Sequence, residues 1–339
     1  MDLPRLTLVI AAHNEEQALP LLQPRLLAVL AQLEAVDGRI LYVDDGSTDA
    51  TWAIVSAFVA ADARVGALRL SRNFGKEAAL TAGLDQVRTG AAMILDADGQ
   101  DPPELIPQFV AYWQQGYDNV YGTRLARAGE SWTKRTTATL FYRVIGRLSR
   151  TPIPADTGDF RLLSPRALQA LAGLRERHRF LKGLFSWVGF RRIALPYQRD
   201  ARIAGSSKFS LWRLWNFALE GITSFSTVPL RAATYLGLLT AALAFVFAVL
   251  VVLKAALYGD RVAGWPTMMT VILFLGGVQL IALGLIGEYL GRLYEESKQR
   301  PLYLVDTCMA ADMADSFLQP TPGGQADDHG TRTVGRQVS

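Results

Sequence analysis

The sequence predicts an α/β fold, a mostly parallel sheet covered by helices on both faces, continued by a helical membrane anchor. Three observations carry this expectation. Short apolar runs alternate with amphipathic stretches through the first third of the chain, acidic and turn-forming residues collect where each run stops, and two long stretches toward the carboxyl end carry no charge. Strand–helix alternation at this spacing is the pattern of parallel strands joined by helical crossovers. Binding sites in such sheets gather at the carboxyl ends of the strands.

Strands are expected at 6–11, 40–43, 65–70, 91–95 and 119–122, with helices at 15–35, 49–61, 76–88 and 103–115 between them. His13-Asn14-Glu15-Glu16 follows the first strand, Asp44-Asp45-Gly46-Ser47-Thr48-Asp49 the second, and Ser71-Arg72-Asn73-Phe74-Gly75-Lys76 the third. The fourth leads into Asp96-Ala97-Asp98-Gly99-Gln100-Asp101-Pro102-Pro103-Glu104. Side chains two apart on a strand share a face, so Asp96 and Asp98 are expected to project together. Crowded carboxylates repel, and a hard cation held by oxygen ligands is the usual relief. Such a cation, keeping open positions, can neutralise a nucleotide diphosphate. Taken alone the motif also fits a solvated polar turn. The Pro-Pro-Glu that follows suits the first turn of a helix, where proline loses no hydrogen bond. No G-x-G-x-x-G follows the first strand, which disfavours a dinucleotide oxidoreductase.

With 339 residues there is room for a catalytic domain and something more. Half of the residues are hydrophobic, and they are unevenly placed: 232–253 holds no charge over 22 residues and 265–287 none over 23. Roughly 20 apolar residues cross a bilayer core, so both runs qualify as transmembrane helices. Gly276, Gly277 and Gly284 offer close helix packing. Two buried helices of a large soluble core are the alternative, disfavoured because such helices rarely run this long without charge. Arg199, Arg202, Lys208, Arg213 and Arg231 precede the first run and Arg292, Lys298 and Arg300 follow the second, whereas the 254–264 connection carries two basic residues and Asp260. The positive-inside bias then places both termini and the catalytic domain in the cytoplasm, on a two-span protein of the plasma (inner) membrane. The chain enters its first strand almost at once, so no cleaved leader is expected. Its one cysteine, Cys308, excludes an intramolecular disulfide. The net charge of +4 suits an anionic leaflet, and no basic-aromatic module points to a nucleic acid.

The expected organisation is a catalytic domain at 1–205, an interfacial amphipathic helix at 206–229, transmembrane helices at 230–257 and 265–288, and a juxtamembrane helix with a strand returning at 300–305 within 289–306. The 307–339 tail is expected to be disordered. Tryptophans beside basic residues in 209–226 are the composition of a helix lying in the membrane surface. Ahead of it come Arg124 at the end of the fifth strand, the basic residues Arg127, Lys134, Arg135 and Arg143, then Asp156-Thr157-Gly158-Asp159-Phe160-Arg161, and Arg202, Gly205, Ser206, Ser207 and Lys208. Arginine and lysine are the natural partners of phosphate oxygens, and beside a membrane-facing helix they suggest a lipid phosphate. Attraction to anionic head groups is the alternative for any one of them. Asp156 and Asp159 also fit a capped turn before a helix near Pro165.

In this order the motifs Asn14-Glu15-Glu16, Val43-Asp44-Asp45-Gly46-Ser47, Ser71-Arg72-Asn73-Phe74-Gly75-Lys76-Glu77, Asp96-Ala97-Asp98, Gln100-Asp101-Pro102-Pro103-Glu104, Gly158-Asp159-Phe160-Arg161, Gly205-Ser206-Ser207-Lys208 and Gly287-Glu288-Tyr289-Leu290-Gly291-Arg292 resemble the polyprenyl-phosphate glycosyltransferases of glycosyltransferase family 2, the bactoprenol glucosyltransferase and dolichol-phosphate mannose synthase group. The resemblance runs from about residue 6 to 305. It implies a Rossmann-like A-type glycosyltransferase domain, two transmembrane helices with interfacial helices, and inverting transfer from a nucleotide-sugar donor to a polyprenyl phosphate acceptor at the lipid bilayer; a homo-oligomer is compatible with it. It further implies that His13, Glu15, Asp44, Asp45, Lys76 and Asp96 bind the nucleotide and that Asp96, Asp98 and Gln100 hold a divalent cation, Mg2+ or Mn2+. Asp98 and Asp159 would be catalytic, with Arg124, Arg135, Arg202, Ser206 and Lys208 binding donor or acceptor phosphates. Asp101 resembles the bactoprenol type and favours a uridine donor, UDP-glucose among them. Two positions depart from the family: Ala11-Ala12-His13 stands where relatives read Pro-x-Tyr, and Gly99 where they carry leucine. A processive polysaccharide synthase would add a Gln-x-x-Arg-Trp motif, which does not occur, and a non-catalytic adaptor would have lost its acidic motif.

Overall fold

The computed structural model describes residues 3–125, 157–177, 179–198, 228–258 and 264–309. The strands are β1 (Arg5–Ala12), β2 (Asp37–Asp44), β3 (Val65–Leu70), β4 (Ala91–Asp96), β5 (Asn119–Arg124), β6 (Thr157–Leu163), β7 (Arg192–Tyr197) and β8 (Val305–Met309). The helices are α1 (Leu19–Gln32), α2 (Thr51–Ala61), α3 (Lys76–Asp85), α4 (Ile106–Gln114), α5 (Pro165–Ala172), α6 (Leu181–Trp187), α7 (Val228–Tyr258) and α8 (Trp265–Ser297). They build one sheet in the order β7-β5-β6-β4-β1-β2-β3-β8.

Its centre, β3-β2-β1-β4, is parallel throughout, as the alternation of apolar runs requires. Only β6 and β8 run against it: β6 pairs antiparallel with both β4 and β5, and β8 pairs antiparallel with β3. Side chains alternate across the sheet. Leu6, Leu8 and Ile10 of β1 enter one core with Leu22 of α1, Val55 of α2 and Phe109 of α4, while Val9 enters a second core with Leu80 of α3, Leu168 of α5 and Leu184 of α6. Burial on both faces explains why these strands read as near-continuous apolar runs.

The expected strands and helices of the first 124 residues are present, with shifted ends. Helix α1 starts at Leu19 rather than near residue 15, because Asn14 takes a positive φ of 56° and the Glu15 carbonyl accepts the N–H groups of Ala18 and Leu19 in a separate turn. The 156–161 stretch, for which a capped turn was one reading, enters strand β6 at Thr157, and every residue of β6 is buried. The cap comes one step later, where Ser164 accepts the N–H of Ala167 and opens α5. Strand β7 and helix α6 are additions that the sequence did not announce. The returning strand is β8, a few residues beyond the expected 300–305.

Helices α7 and α8 contain 31 and 33 residues and pack against each other. Among the described residues one helix, Phe274–Ser297, is long and apolar enough to cross a membrane, and Ala233–Phe247 is a shorter apolar stretch. Phe245, Leu257, Phe274 and Leu280 lie exposed on the pair, far more apolar surface than a soluble monomer usually leaves in water. The end of α8 is fastened to the α/β domain. The Glu296 carboxylate accepts the Arg177 N–H at 3.0 Å, Tyr303 Oη donates to Asp85 at 2.8 Å, and the Leu304 carbonyl accepts the Ser71 N–H at 2.9 Å. Arg135, Arg202, Ser206, Lys208, the interfacial helix and the tail beyond residue 309 lie outside the described residues.

Candidate active site

The carboxyl ends of β1, β2, β3 and β4 meet at one edge of the parallel sheet, and the acidic loops meet with them. The first wall joins β1 to β2. His13 Nδ1 donates to the Asp45 carbonyl at 2.9 Å, and His13 Nε2 lies 2.9 Å from Asn73 Nδ2. The Asn14 and Glu15 N–H groups bond to the Ser47 and Thr51 hydroxyls at 3.0 and 2.8 Å. Gly46 is required here: its φ is +65°, and a Cβ would collide with the Arg72 backbone.

The paired acids of the second loop face inward. Both Asp45 oxygens are taken, by the Phe74 N–H at 2.7 Å and the Gly75 N–H at 2.9 Å. Asp44 is fully buried, accepts the Ser47 N–H at 3.0 Å, and lies 3.3 Å from Arg69 Nε through an oxygen that makes no hydrogen bond among the described residues. These two carboxylates therefore build the wall itself, while His13 and Asn73 line its surface.

Strand β4 ends at Asp96, so Asp98 belongs to the turn beyond it and does not share a strand face with Asp96. Gly99 carries that turn with φ +68°, a conformation that a leucine would adopt only with strain. The Asp98 carboxylate accepts the Gln100 N–H at 3.1 Å, and both residues are buried. Asp101 also turns inward: one oxygen accepts Tyr197 Oη at 2.8 Å and the other the Asp96 N–H at 3.3 Å. Burial and the Asp101 charge push the Tyr197 hydroxyl well above its ordinary range.

Asp96 and Asp159 are joined by one ammonium. Lys76 Nζ lies 2.5 Å from Asp96 Oδ1 and 2.7 Å from Asp159 Oδ2. Burial works against the charged amine, yet the two carboxylates prevail and hold its pKa above the usual lysine range. Burial likewise opposes ionisation of Asp159, but Lys76 and Lys182 outweigh it and keep this carboxyl well below the ordinary carboxylate range. Beside them Glu77 is pushed up to about 7 by burial and by the Asp159 charge, against the hydrogen bond from the Leu181 N–H. That bond, 3.0 Å long, sits at the first residue of α6 and sets Lys182 beside the site. Arg161 is buried, stacked 4.0 Å over the Phe185 ring, and its burial lowers its pKa to about 10.

Arg124 ends β5 and packs on Gly158, where a Cβ would come within 2.8 Å of its guanidinium. Three buried polar atoms at this edge, Arg124 Nε, Asp159 Oδ1 and Arg161 Nε, have no hydrogen-bond partner among the described residues. Unpaired buried polar atoms are rare in folded proteins, and a ligand or ordered water is a usual partner for them. The structure thus brings His13, Glu15, Asp44, Asp45, Lys76, Asp96, Asp98, Gln100, Arg124 and Asp159 to one edge. Sequence reasoning named Glu77 and Arg161 within motifs but gave neither a role, and it missed Lys182 and Tyr197 altogether. Their partners lie tens of residues away in the chain, so no local spacing signals them.

Residues 7–172 match the model of the glycosyl transferase family 2 domain, and residues 228–293 that of the GtrB C-terminal hairpin. A glycosyltransferase of Synechocystis sp. is 49% identical over 300 residues, 88% of this chain and 94% of that one. The chain belongs to glycosyltransferase family 2. The Rossmann-like, A-type fold expected from the motifs is the fold of its catalytic domain, and the protein is a glycosyltransferase enzyme. The bactoprenol glucosyl transferase of Shigella phage SfX is 44% identical over 301 residues, 89% of this chain and 98% of that one. The prophage bactoprenol glucosyl transferase homolog of Escherichia coli K12 is 42% identical over 301 residues with the same coverage. For this family 2 enzyme the strand-end edge that holds Asp96, Lys76 and Asp159 is the candidate active site.

Proposed function

We propose that the protein transfers a single hexose, with inversion, from a UDP-sugar such as UDP-glucose to polyprenyl (undecaprenyl) phosphate at the cytoplasmic face of the plasma (inner) membrane. The observation that carries this reading is the joining of a family 2 catalytic domain to a C-terminal hairpin in one chain, at 44% identity to a bactoprenol glucosyl transferase along nearly its whole length. In this reading α7 and α8 are two membrane spans. The basic residues flanking them outnumber the two in the 254–264 connection, which also carries Asp260, and this bias supports cytoplasmic termini. The division at 205, 229, 257, 288 and 306 belongs to the same proposal.

The donor set suits a divalent cation. Among the described residues no three His, Cys, Asp or Glu side chains gather around one point. Asp96 and Asp98, with the Gln100 amide oxygen, nonetheless offer hard oxygen donors, and an ammonium already rests on Asp96. Mg2+ or Mn2+ held there would leave coordination positions for a diphosphate, and its chemistry is to stabilise the negative charge that grows on the leaving nucleotide. The remaining roles are the protein's own. The wall made by His13, Asn73, Glu15, Asp44 and Asp45 bounds the nucleoside side. Arg124, with its unpaired Nε, faces phosphate oxygen through a planar fork.

A phosphate monoester acceptor is already mostly ionised near neutrality, its second pKa being about 6. It needs little help losing a proton, and Asp159, held well below the ordinary carboxylate range, is a weak base. Asp159 therefore orients the acceptor through the lysines it gathers, and the preorganised positive charge of Lys76, Lys182 and Arg161 steadies the reacting phosphates. Arg135, Arg202, Ser206 and Lys208, which lie outside the described residues, are assigned donor or acceptor phosphates in the same reading. Mass spectrometry of the lipid product formed from a panel of nucleotide sugars tests the proposal. A polyprenyl-phosphate hexose from one UDP-sugar supports it, and a product with no lipid refutes it.

A further inference from the structure

We infer that Lys76 is an internal cation that ties Asp96 to Asp159 and is exchanged off Asp96 by the divalent cation, which couples the donor side of the site to the acceptor side. The inference rests on the cation reading given above. Its geometry is a single ammonium 2.5 Å from one carboxylate and 2.7 Å from the other. An ammonium has three donors and no acceptor, so it can hold both at once. Without it, two buried-edge carboxylates with side-chain exposures of 13% and 9% would face each other across the site.

The base of Lys76 is fixed and its tip is not. It opens α3 directly after Gly75, whose N–H is held by Asp45 at 2.9 Å, so the backbone is pinned to the second strand end. The side chain is 46% exposed to solvent although its ammonium is crowded by protein groups, and it rides on a flexible four-carbon stem. Asp159 sits in the positive field of Lys182 and Arg161 as well, so it stays compensated when the ammonium leaves Asp96. A divalent cation and Lys76 compete for the Asp96 carboxylate, whose Oδ1 the ammonium already holds, and the more highly charged cation prevails. The freed ammonium then remains with Asp159, at the side where the acceptor phosphate arrives.

The test is Mn2+ binding alone, with no nucleotide, to the full chain in detergent, followed by the electron paramagnetic resonance signal of free Mn2+. Four proteins are compared: wild type, Lys76→Met, Asp159→Asn and the double variant. Removing the internal competitor should tighten Mn2+ binding by about ten- to a hundredfold, the range expected for one charge-assisted contact. Asp159→Asn should weaken binding in the wild-type background, because Lys76 then falls wholly to Asp96. It should have no effect once Lys76 is methionine, a coupling that a double-mutant cycle isolates. Equal Mn2+ affinity in wild type and Lys76→Met overturns the inference and leaves the cation reading standing. An Asp159 effect that persists in the double variant also overturns it. No Mn2+ binding to any of the four overturns both.

Discussion

Replacing Asp45 with alanine tests whether the second acidic loop is a wall or a ligand. The carboxylate is 3% exposed and accepts two backbone N–H groups, Phe74 at 2.7 Å and Gly75 at 2.9 Å. Hydrogen bonds to a charged group contribute about 1.5–3 kcal/mol each, and the loss of two leaves two donors in search of partners. Some of that cost is recovered by water entering at the loop, so the net destabilisation should be about 2–4 kcal/mol. For a domain of this size that is a fall in Tm of roughly 4–15 °C. The ligand-free protein should show it, in differential scanning fluorimetry or by circular dichroism, before any nucleotide is added. The Asn73 contact to His13 hangs on the same loop, so the apparent KM for the donor should rise as well. Asp45→Asn keeps one acceptor and should lie between wild type and alanine. An unchanged Tm in ligand-free Asp45→Ala, with only donor affinity lost, would refute the wall argument and return Asp45 to direct contact with the nucleoside.

Three further outcomes are expected. Asp98→Asn should lower turnover by several orders of magnitude, since preorganised charge is a large catalytic contribution, and excess chelator should do the same to wild type; full turnover in either case removes the cation from the mechanism. Glu77, raised to about 7 from an ordinary 4.5, binds its proton more tightly when folded, so its contribution to stability falls as pH rises from about 4.5 to 7; Glu77→Gln should flatten that slope in pH-dependent urea melts, by on the order of 1–3 kcal/mol, and an unaltered slope would place the titration elsewhere. Cysteine probes at position 260 should react from outside intact cells and probes at position 297 should not; the reverse pattern would invert the orientation read from the flanking charges.

How far the sequence alone reached depended on where each residue finds its partner. Strands β1 to β4 were legible because both faces are buried and each carries an apolar run, and β5 through its short apolar start before Arg124. Strand β6 was not, because it carries Asp159 and Arg161 into the interior. Those charges are met by Lys76 and by the Phe185 ring, from helices 80 residues upstream and 20 downstream by rough count, and no local pattern reports such partners. Strand β7 has exposed residues alternating with buried ones at the sheet edge, a weak signal among arginines. The Asp96 and Asp98 motif was read correctly as a strand-end feature but with the wrong local geometry, since the strand stops at Asp96 and Gly99 makes the turn. Asp44, Asp45 and Asp101 look like ligands in a sequence because they are acidic and sit after strands. In the structure their oxygens are spent largely on the protein's own N–H and O–H groups.

The most direct measurement of the central claim is a single reaction, the purified full chain in nanodiscs with UDP-glucose, undecaprenyl phosphate and Mn2+, in which UDP release and lipid mass are followed together. UDP release should depend on the lipid phosphate and be matched one to one by a product carrying a single added hexose. UDP release without lipid product, or a ladder of repeated hexose additions, would contradict it.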